Sequence, residues 1–568
     1  MSLAFCQPQP PPLDPLVAEM NPLLLNDRAQ RGAGVISRVT PVGTNYVAGV
    51  VAQAFAAHFA DVTPLNVGRD QKLTQIPAVS LERLALETLQ LDRRHVSTST
   101  MDGVLRVKVT NVSISASSHI VGVLRTIRLR DAIAVKTQYL QLEAAIAVNR
   151  NSHGNPFLKL DGCKVRTQGI KLVTKPMDPR NGKMLADAIA ADASTIFSGM
   201  LCAKIDSILM KRVNQRFALL PSKISLEDSR KFDIVKIIIQ AEERMKRQQS
   251  ALRRRPSTGR PTPIAMVRSR PRAPMRIRNK RQQMHILLSS FNFSRADNLM
   301  LDYAMLAAPS LTARGIELIT SGEVFRTGHT TPFGAGPISL LASVSPTMLQ
   351  IMVSDFVPNS LMYHGHRIRL FDTRIDWNTP QFGPVMRTTC DLSTGSLFCI
   401  GDLFPALRDM LPGRNIAFLF STLKAPAVIV QPEENGGIHF NLIGLIRVIS
   451  DRDEPIGEME IRIEAFMKMK LTSKVVKGKV TIEEIQFTSR TPRILLQEEL
   501  DDAGFLSREI LQRMVNDILR QGVPIPIHPL FKLVKPKLTL ARRAMLLETN
   551  FLLNEHIIAQ LTAETLVA

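Results

Sequence analysis

The chain is short of almost everything that marks an enzyme. No GxSxG, HExxH, GxGxxG or P-loop pattern occurs, and no kinase signature. Cysteine is scarce: Cys6, Cys163, Cys202, Cys390 and Cys399 are the five, with no CxxC pair and no Cys/His cluster, which argues against zinc. His364 and His366 flank a glycine in HGHR, and a metal there would need further ligands. His58 sits on an apolar helix face and reads as a core or rim residue. Asp501-Asp502 and Glu433-Glu434 are adjacent pairs near turns or helix starts and read as solvated caps. Aromatics are few, one Trp and four Tyr, too few for the stacking platforms of single-strand nucleic-acid binders. No run of about 18 apolar residues appears, so no segment reads as a membrane span. SLAFC is too short for a signal-peptide core, and QPQPPPLDPL follows at once. Taken alone, that reads as a cytosolic protein with reduced thiols. The alternative is that SLAFCQ is the tail of a longer apolar segment.

What is present is apolar volume and an uneven positive charge. Of 568 residues 45% are hydrophobic, and 72 Lys/Arg against 50 Asp/Glu leave a net +22. Residues 35–232 hold 27 Lys/Arg against 15 Asp/Glu, a surplus of 12. Arg244–Arg281 holds 14 Lys/Arg and no acid, whereas residues 282–568 hold 28 against 29. The first half is cationic and the second neutral, so an anionic partner would meet the first half.

Lys183–Phe217 organises the first half. It lacks proline, and its apolar residues recur at three- and four-residue steps, among them Leu185, Ile189, Ile196, Met200, Ile205 and Val213. The stripe drifts around the axis, as expected for a helix of about 50 Å that curves around a barrel. Upstream, Asn45–Phe59 reads as a helix with Thr44 as N-cap and Val47, Val50, Val51 and Phe55 on one face. Between the two helices lie alternating strands: Val104–Val109, Ile127–Leu129 and Leu140–Val148, apolar on one face and basic on the other. Arg244–Arg281 cannot bury a core and reads as an exposed linker. The pattern then recurs. Met348–Val353 leads to a short helix, further strands follow, and Ser507–Gln521 reads as a helix capped by Ser507. Each half is strand, helix, many strands, helix, the mark of one architecture used twice. The domains expected are a poorly ordered tail 1–33, a barrel 34–243, a linker 244–281 and a barrel 282–568.

The ordered set of segments resembles a known family. Gly34–Val39 with Gly43–Tyr46, Met101–Ala116, Tyr303–Pro309, Gln350–Asp355, Gly522–Pro526 and the final LFKLVKPKLTLARRAMLLETNFLL carry the resemblance. The family is that of bactericidal/permeability-increasing protein, lipopolysaccharide-binding protein and lipid-transfer proteins. It implies an α+β boomerang: two pseudo-symmetric antiparallel β-barrels, each wrapped around a long helix and joined by a central sheet. It implies a non-enzymatic, extracellular lipid binder without cofactor, whose partners are phospholipid and an anionic membrane surface or lipopolysaccharide, with no specific nucleic acid. Two departures stand out: the family is secreted while no signal is visible, and the basic linker is longer than the family's. The placement of Cys163 on a strand and Cys202 on the long helix, together with the resemblance, predicts a disulfide between them. Cys390 with Cys399 is a second candidate pair, and Cys6 is expected to be free. Lipid-lining candidates are Val47, Val51, Phe55, Ile189, Ile196, Met200 and Ile205 in the first half. In the second half they are Phe356, Leu361, Ile510, Met514 and Ile518. Competing readings are a polyanion or nucleic-acid binder acting through the Arg-rich linker, and a structural protein with filled barrels.

Overall fold

The computed structural model describes residues 15–59, 71–174, 178–226, 243, 298–343, 345–379, 383–390, 398–435, 437–472, 475–521, 523–524 and 530–562. The linker Arg244–Arg281, Cys6 and the Pro-rich start lie outside them.

The first half opens with β1 (Val35–Val39) and α1 (Pro41–Phe59). It continues through β2 (Val79–Gln90), β3 (Val96–Met101), β4 (Val104–Leu124), β5 (Ile127–Arg150) and β6 (Pro156–Val173), and ends in α2 (Pro179–Ile208). Strands β2, β4, β5 and β6 are consecutive antiparallel neighbours, with β3 paired to β4. The alternation read along Leu140–Val148 and Ile127–Leu129 belongs to one strand of 24 residues. Alternation puts Val109, Ile114, Ala116, Ile133, Val135 and Leu140 inside, and α2 adds Leu185, Ile189, Phe197 and Met200 to the same core.

Helix α2 begins at Asp178, whose carboxylate accepts from Asn181 N, and Pro179 follows in the first turn, where a missing N–H costs nothing. A π-turn, Leu209–Val213, re-phases it before a last helical turn, Asn214–Leu219. The whole stretch is long and apolar enough to cross a membrane by composition. Here its apolar side is core, and its polar side chains serve the edge of β6. Ser198 Oγ accepts from Val165 N at 3.0 Å and Ser194 Oγ from Thr167 N at 3.2 Å. Asn214 accepts from Leu158 N and donates to Leu158 O. An edge strand exposes unpaired backbone groups, and a helix laid along it removes that liability. The Cys163–Cys202 disulfide, with Cα atoms 5.8 Å apart, fastens the same seam, as expected.

The second half repeats the scheme. Its elements are β7 (Gly315–Thr320), β8 (Leu349–Ser354), α3 (Phe356–Arg367), β9 (Ile416–Thr422), β10 (Ile438–Ser450), β11 (Pro455–Leu471), β12 (Val475–Ser489) and α4 (Gln497–Gln521). Two closing strands, β13 (Phe531–Ala541) and β14 (Ala544–Leu553), precede α5 (Glu555–Thr562). Strands β9 to β12 are antiparallel neighbours in chain order. Helix α4 covers the edge of β12 as α2 covers β6: Asn516 accepts from Val480 N and Gln512 from Ile482 N.

Strand β1 lies between β7 and β8, and β8 continues to β14 and β13, so both ends of the chain meet in one central sheet. A buried polar row crosses it. Arg38, 3% exposed, pairs with Glu317 at 2.8 Å and bonds Gln350, which donates to Glu548. A slip of one residue would turn this row to the opposite face.

Three expectations change. Residues 15–33, read as part of a poorly ordered tail, form helical turns at Pro15–Ala18 and Pro22–Ala29 and bury Val17, Met20 and Leu24. Helix α1 starts at Pro41, so Thr44 is not its cap; the Thr44 hydroxyl donates to Pro41 O. Helix α4 starts at Gln497, ten residues before Ser507, because Leu500 and Ala503 bury against the second core.

Candidate lipid-binding site

Helix α1 has two apolar faces, where the sequence reading drew one. Ala48, Ala52 and Phe55, spaced at helical intervals, pack on the first core. Val47, Val50 and Ala54 face the other way, against Phe551, Leu553 and Ile558. Val51 is 37% exposed. Of the first-half candidates, Phe55, Ile189, Ile196 and Met200 therefore meet around one core, Ile205 is half-buried, and Val47 and Val51 stand apart.

In the second half Phe356 and Leu361, both on α3, join different clusters. Phe356 packs with Phe333 and Tyr363, and Leu361 against Leu299, Val324 and Leu370. Helix α3 contacts the strands Val324–Arg326 and Ala427–Val430, while α4 lies on β12. The side chains of Ile510, Met514 and Ile518 lie outside those described.

A cleft of about 620 Å³ opens at the waist, beside the small sheet formed by Lys223–Ser225, Leu299–Asp302 and Val324–Arg326. Its apolar floor includes Leu306, Phe325, Phe333 and Phe356. Charged groups ring it: Arg31 and Lys223 on one hand, Asp302 and Glu323 on the other, with His329 at the mouth. Lys223 Nζ stands 5.0 Å from the Phe325 ring centroid. Glu323 accepts from the Thr331 hydroxyl, so His364 Nε2, 2.9 Å from Thr331 Oγ1, is the donor to that oxygen. His364 is fully buried, and burial first, then the charges of His329, Arg367 and Arg326, holds its imidazole down at about 4. Of the HGHR histidines, His364 is thus a core residue of α3, and His366 is half-buried with Nδ1 2.6 Å from the Thr422 hydroxyl. Among the described residues, the cluster with metal-ligand spacing is Cys390, Cys399 and Asp402, and its two cysteines form a disulfide.

Next to the cleft, Arg543 bridges three distant segments. Its Nε lies 2.6 Å from Asp355 Oδ2, and Nη2 lies 2.6 Å from Asp27 Oδ2. Burial pushes the Asp355 carboxyl above its ordinary value despite Arg543. Burial also opposes the Arg543 charge, but the bonds to Asp27 and Asp355 win and raise its pKa.

At the far end of the first sheet, the β4–β5 hairpin carries exposed cations and exposed apolar groups together. Arg125, Arg128 and Arg130 are exposed, and Val123 and Ile127 are 43% and 40% exposed. Val123 stands opposite Arg128 in the register. Strand β6 stops short of this tip: Val173, 52% exposed, is level with Ala134, and Lys171 with Lys136. The opposite end of the sheet is the docked one, where Gly154 O accepts from Met305 N and Thr100 donates to Thr312 O. Sequence reading singled out Arg128 and Arg130 through their alternation with Ile127 and Leu129. It missed Val123, because only the hairpin register brings it opposite Arg128 at the tip.

Two antiparallel sheets, each seamed to a long helix and joined by a shared central sheet, define a boomerang fold. Residues 294–553 match the LBP / BPI / CETP family, C-terminal domain, and the resemblance carried by the sequence is thereby shown. Similar curated proteins are the lipopolysaccharide-binding protein of Homo sapiens, 25% identical over 253 residues, and that of Bos taurus, 22% identical over 259. The aligned parts cover 40% and 44% of this chain and 47% and 52% of those proteins, so the chain spans about half the length of the curated relatives it matches. A crystal structure of lipopolysaccharide binding protein superposes with a TM-score of 0.50 at 14% identity, covering 92% of this chain and 99% of that one. At that identity the likeness is one of fold, and it extends over both halves.

Proposed function

We propose that this protein binds lipid without catalysing a reaction, taking phospholipid chains into apolar space between sheet and helices and docking on anionic lipid through the first-half tip. The observation that carries the reading is that tip: Arg125, Arg128 and Arg130 beside Val123 and Ile127, at the end of the sheet remote from the central sheet. Three cations near an anionic membrane contribute about 3 kcal/mol. The two apolar side chains add burial free energy as they enter the headgroup layer. Cationic rims with apolar tips suit lipopolysaccharide, the ligand named for the relatives, as well as anionic phospholipid. Acyl chains would lie beside Phe55, Ile196 and Met200, where α1 and α2 share one core. Two disulfides suit an oxidising compartment, and we read the protein as extracellular.

The test is vesicle flotation with the full chain. Wild type should bind phosphatidylglycerol vesicles and release them as salt rises, while fluorescent phosphatidylcholine uptake should be insensitive to salt. The triple variant Arg125→Ser/Arg128→Ser/Arg130→Ser should lose about 100-fold in vesicle affinity, from about 1 kcal/mol per cation. Unchanged vesicle binding by that variant overturns the tip assignment. Absence of lipid in an organic extract, together with no phosphatidylcholine uptake, overturns the pocket assignment.

A further inference from the structure

Residues 15–32 cross the second half as a strap. Val17, Met20 and Leu24 are 6%, 1% and 1% exposed and pack on Phe333, Phe356, Tyr363 and Ala427. Polar anchors hold the strap at intervals. Asn21 Nδ2 donates to Ala425 O at 3.2 Å and to Asn441 Oδ1 at 2.8 Å. Glu19 pairs with Arg367 at 3.2 Å, and Asp27 pairs with Arg543.

The strap also builds the waist cleft. Arg31 and Gly32 form part of its wall. On the strap's other flank, Leu25, Asn26, Arg28 and Ala29 line a second hollow of about 520 Å³, and Arg31 and Pro332 border both. Phe333, Ala335 and Phe356 belong at once to the cleft lining and to the apolar surface beneath Met20 and Leu24. The apolar floor of the open cleft therefore continues under the strap, and the chain's own side chains occupy that continuation.

We propose that the waist cleft and the groove under residues 15–24 form one site for a single-chain amphiphile, a lysophospholipid with a zwitterionic head, and that this part of the strap gates it. This deepens the lipid-binding reading and rests on it. The head would sit in the cleft, its phosphate toward Lys223 and toward Arg31, which stays in place as part of the cleft wall. Its amine would face the carboxylates of Asp302 and Glu323. The single tail would run over Phe333 and Phe356 into the groove, in place of Met20 and Leu24. Strap and tail compete for one apolar surface, so the affinity measured for the amphiphile is the intrinsic affinity reduced by the fraction of molecules with the strap displaced.

The experiment locks and releases the strap in the full chain. In a Cys6→Ser background, Asn21→Cys/Asn441→Cys places two thiols where the side chains now hydrogen-bond, and the single variant Asn21→Cys is the unlocked control. Met20→Asp/Leu24→Asp releases the strap. Probes are fluorescent lysophosphatidylcholine, fluorescent palmitate and, for other lipid sites, fluorescent diacyl phosphatidylcholine. Locking should lower lysophosphatidylcholine affinity about tenfold or more against the unlocked control, release should raise it by a similar factor, and diacyl uptake should stay unchanged. Equal lysophosphatidylcholine affinity in locked and unlocked proteins overturns the gate. Tighter binding of palmitate than of lysophosphatidylcholine overturns the zwitterionic assignment. Failure of every variant and of wild type to bind any probe overturns the lipid-binding reading itself. Should near-UV circular dichroism show the release variant unfolded, the locked pair decides alone.

Discussion

Arg543→Met isolates the ionic clamp that holds the strap. Arg543 bonds two carboxylates from segments far apart in sequence, and both acids are buried: Asp27 is 6% exposed and Asp355 1%. Met keeps most of the side-chain volume and removes the charge. Two buried acids then stand without a cation, a situation that costs about 3–5 kcal/mol when a buried pair is broken. The Arg543 side chain is 31% exposed, so solvent screens part of this, and about 2–4 kcal/mol is the working figure. Protonation limits the loss. Neutralising one ordinary carboxyl at pH 7 costs about 4 kcal/mol, and at pH 5 only about 1.5 kcal/mol. The pH trend follows from Asp355, which burial raises above its unfolded value. The folded state holds that proton more tightly than the unfolded state does. The group therefore favours folding at acid pH, and that contribution is lost as pH rises through the folded pKa. Without Arg543 the folded pKa rises further and the window moves toward neutrality. Native-state hydrogen exchange at Gly334 and Val430 reads the clamp locally, because their N–H groups donate to Asp27 O and Asp355 Oδ2. Protection should fall by about 2–4 kcal/mol at pH 7 and by about 1.5 kcal/mol at most at pH 5. A loss below about 1 kcal/mol at pH 7, or an equal loss at both pH values, refutes the reasoning.

Two further outcomes follow from single side chains. Cys202→Ala opens a bridge of sequence separation 39 along the α2–β6 seam. It should destabilise the first half by about 3 kcal/mol. Calorimetry should show its transition lowered by about 6–12 °C while the second-half transition stays in place; an unchanged melt would mean that the seam holds without the bond. His364 is buried neutral with its pKa depressed to about 4, so its contribution to stability is full above the unfolded value of 6.5 and is lost as pH falls from there toward 4. Up to about 3 kcal/mol is at stake. His364→Gln should flatten the urea midpoint between pH 6.5 and 4, and a slope equal to wild type would remove His364 from the account.

The sequence by itself determined the elements that repeat locally. Alternation along β4 to β6 and β10 to β12 needs only neighbouring residues, because successive side chains point to opposite faces. The long run without proline made α2 visible for the same reason, and the charge surplus of the first half needed only counting. The order of segments was enough to reach the family resemblance and the Cys163–Cys202 bond. Boundaries were less legible, since they depend on tertiary partners. Leu500 and Ala503 hold the first turns of α4 by packing on the second core, which no local cap announces. The lining candidates scattered because a helical stripe reports a face but not what covers it: α1 turned out to have two covers, and Phe356 and Leu361 on α3 joined different clusters. The seam side chains Ser194, Ser198, Gln512 and Asn516 look like ordinary polar helix residues until the edge strand lies beside them. The strap was invisible in sequence. Asn21 meets Asn441 across 420 residues and Asp27 meets Arg543 across 516, and only folding brings such partners within hydrogen-bond reach.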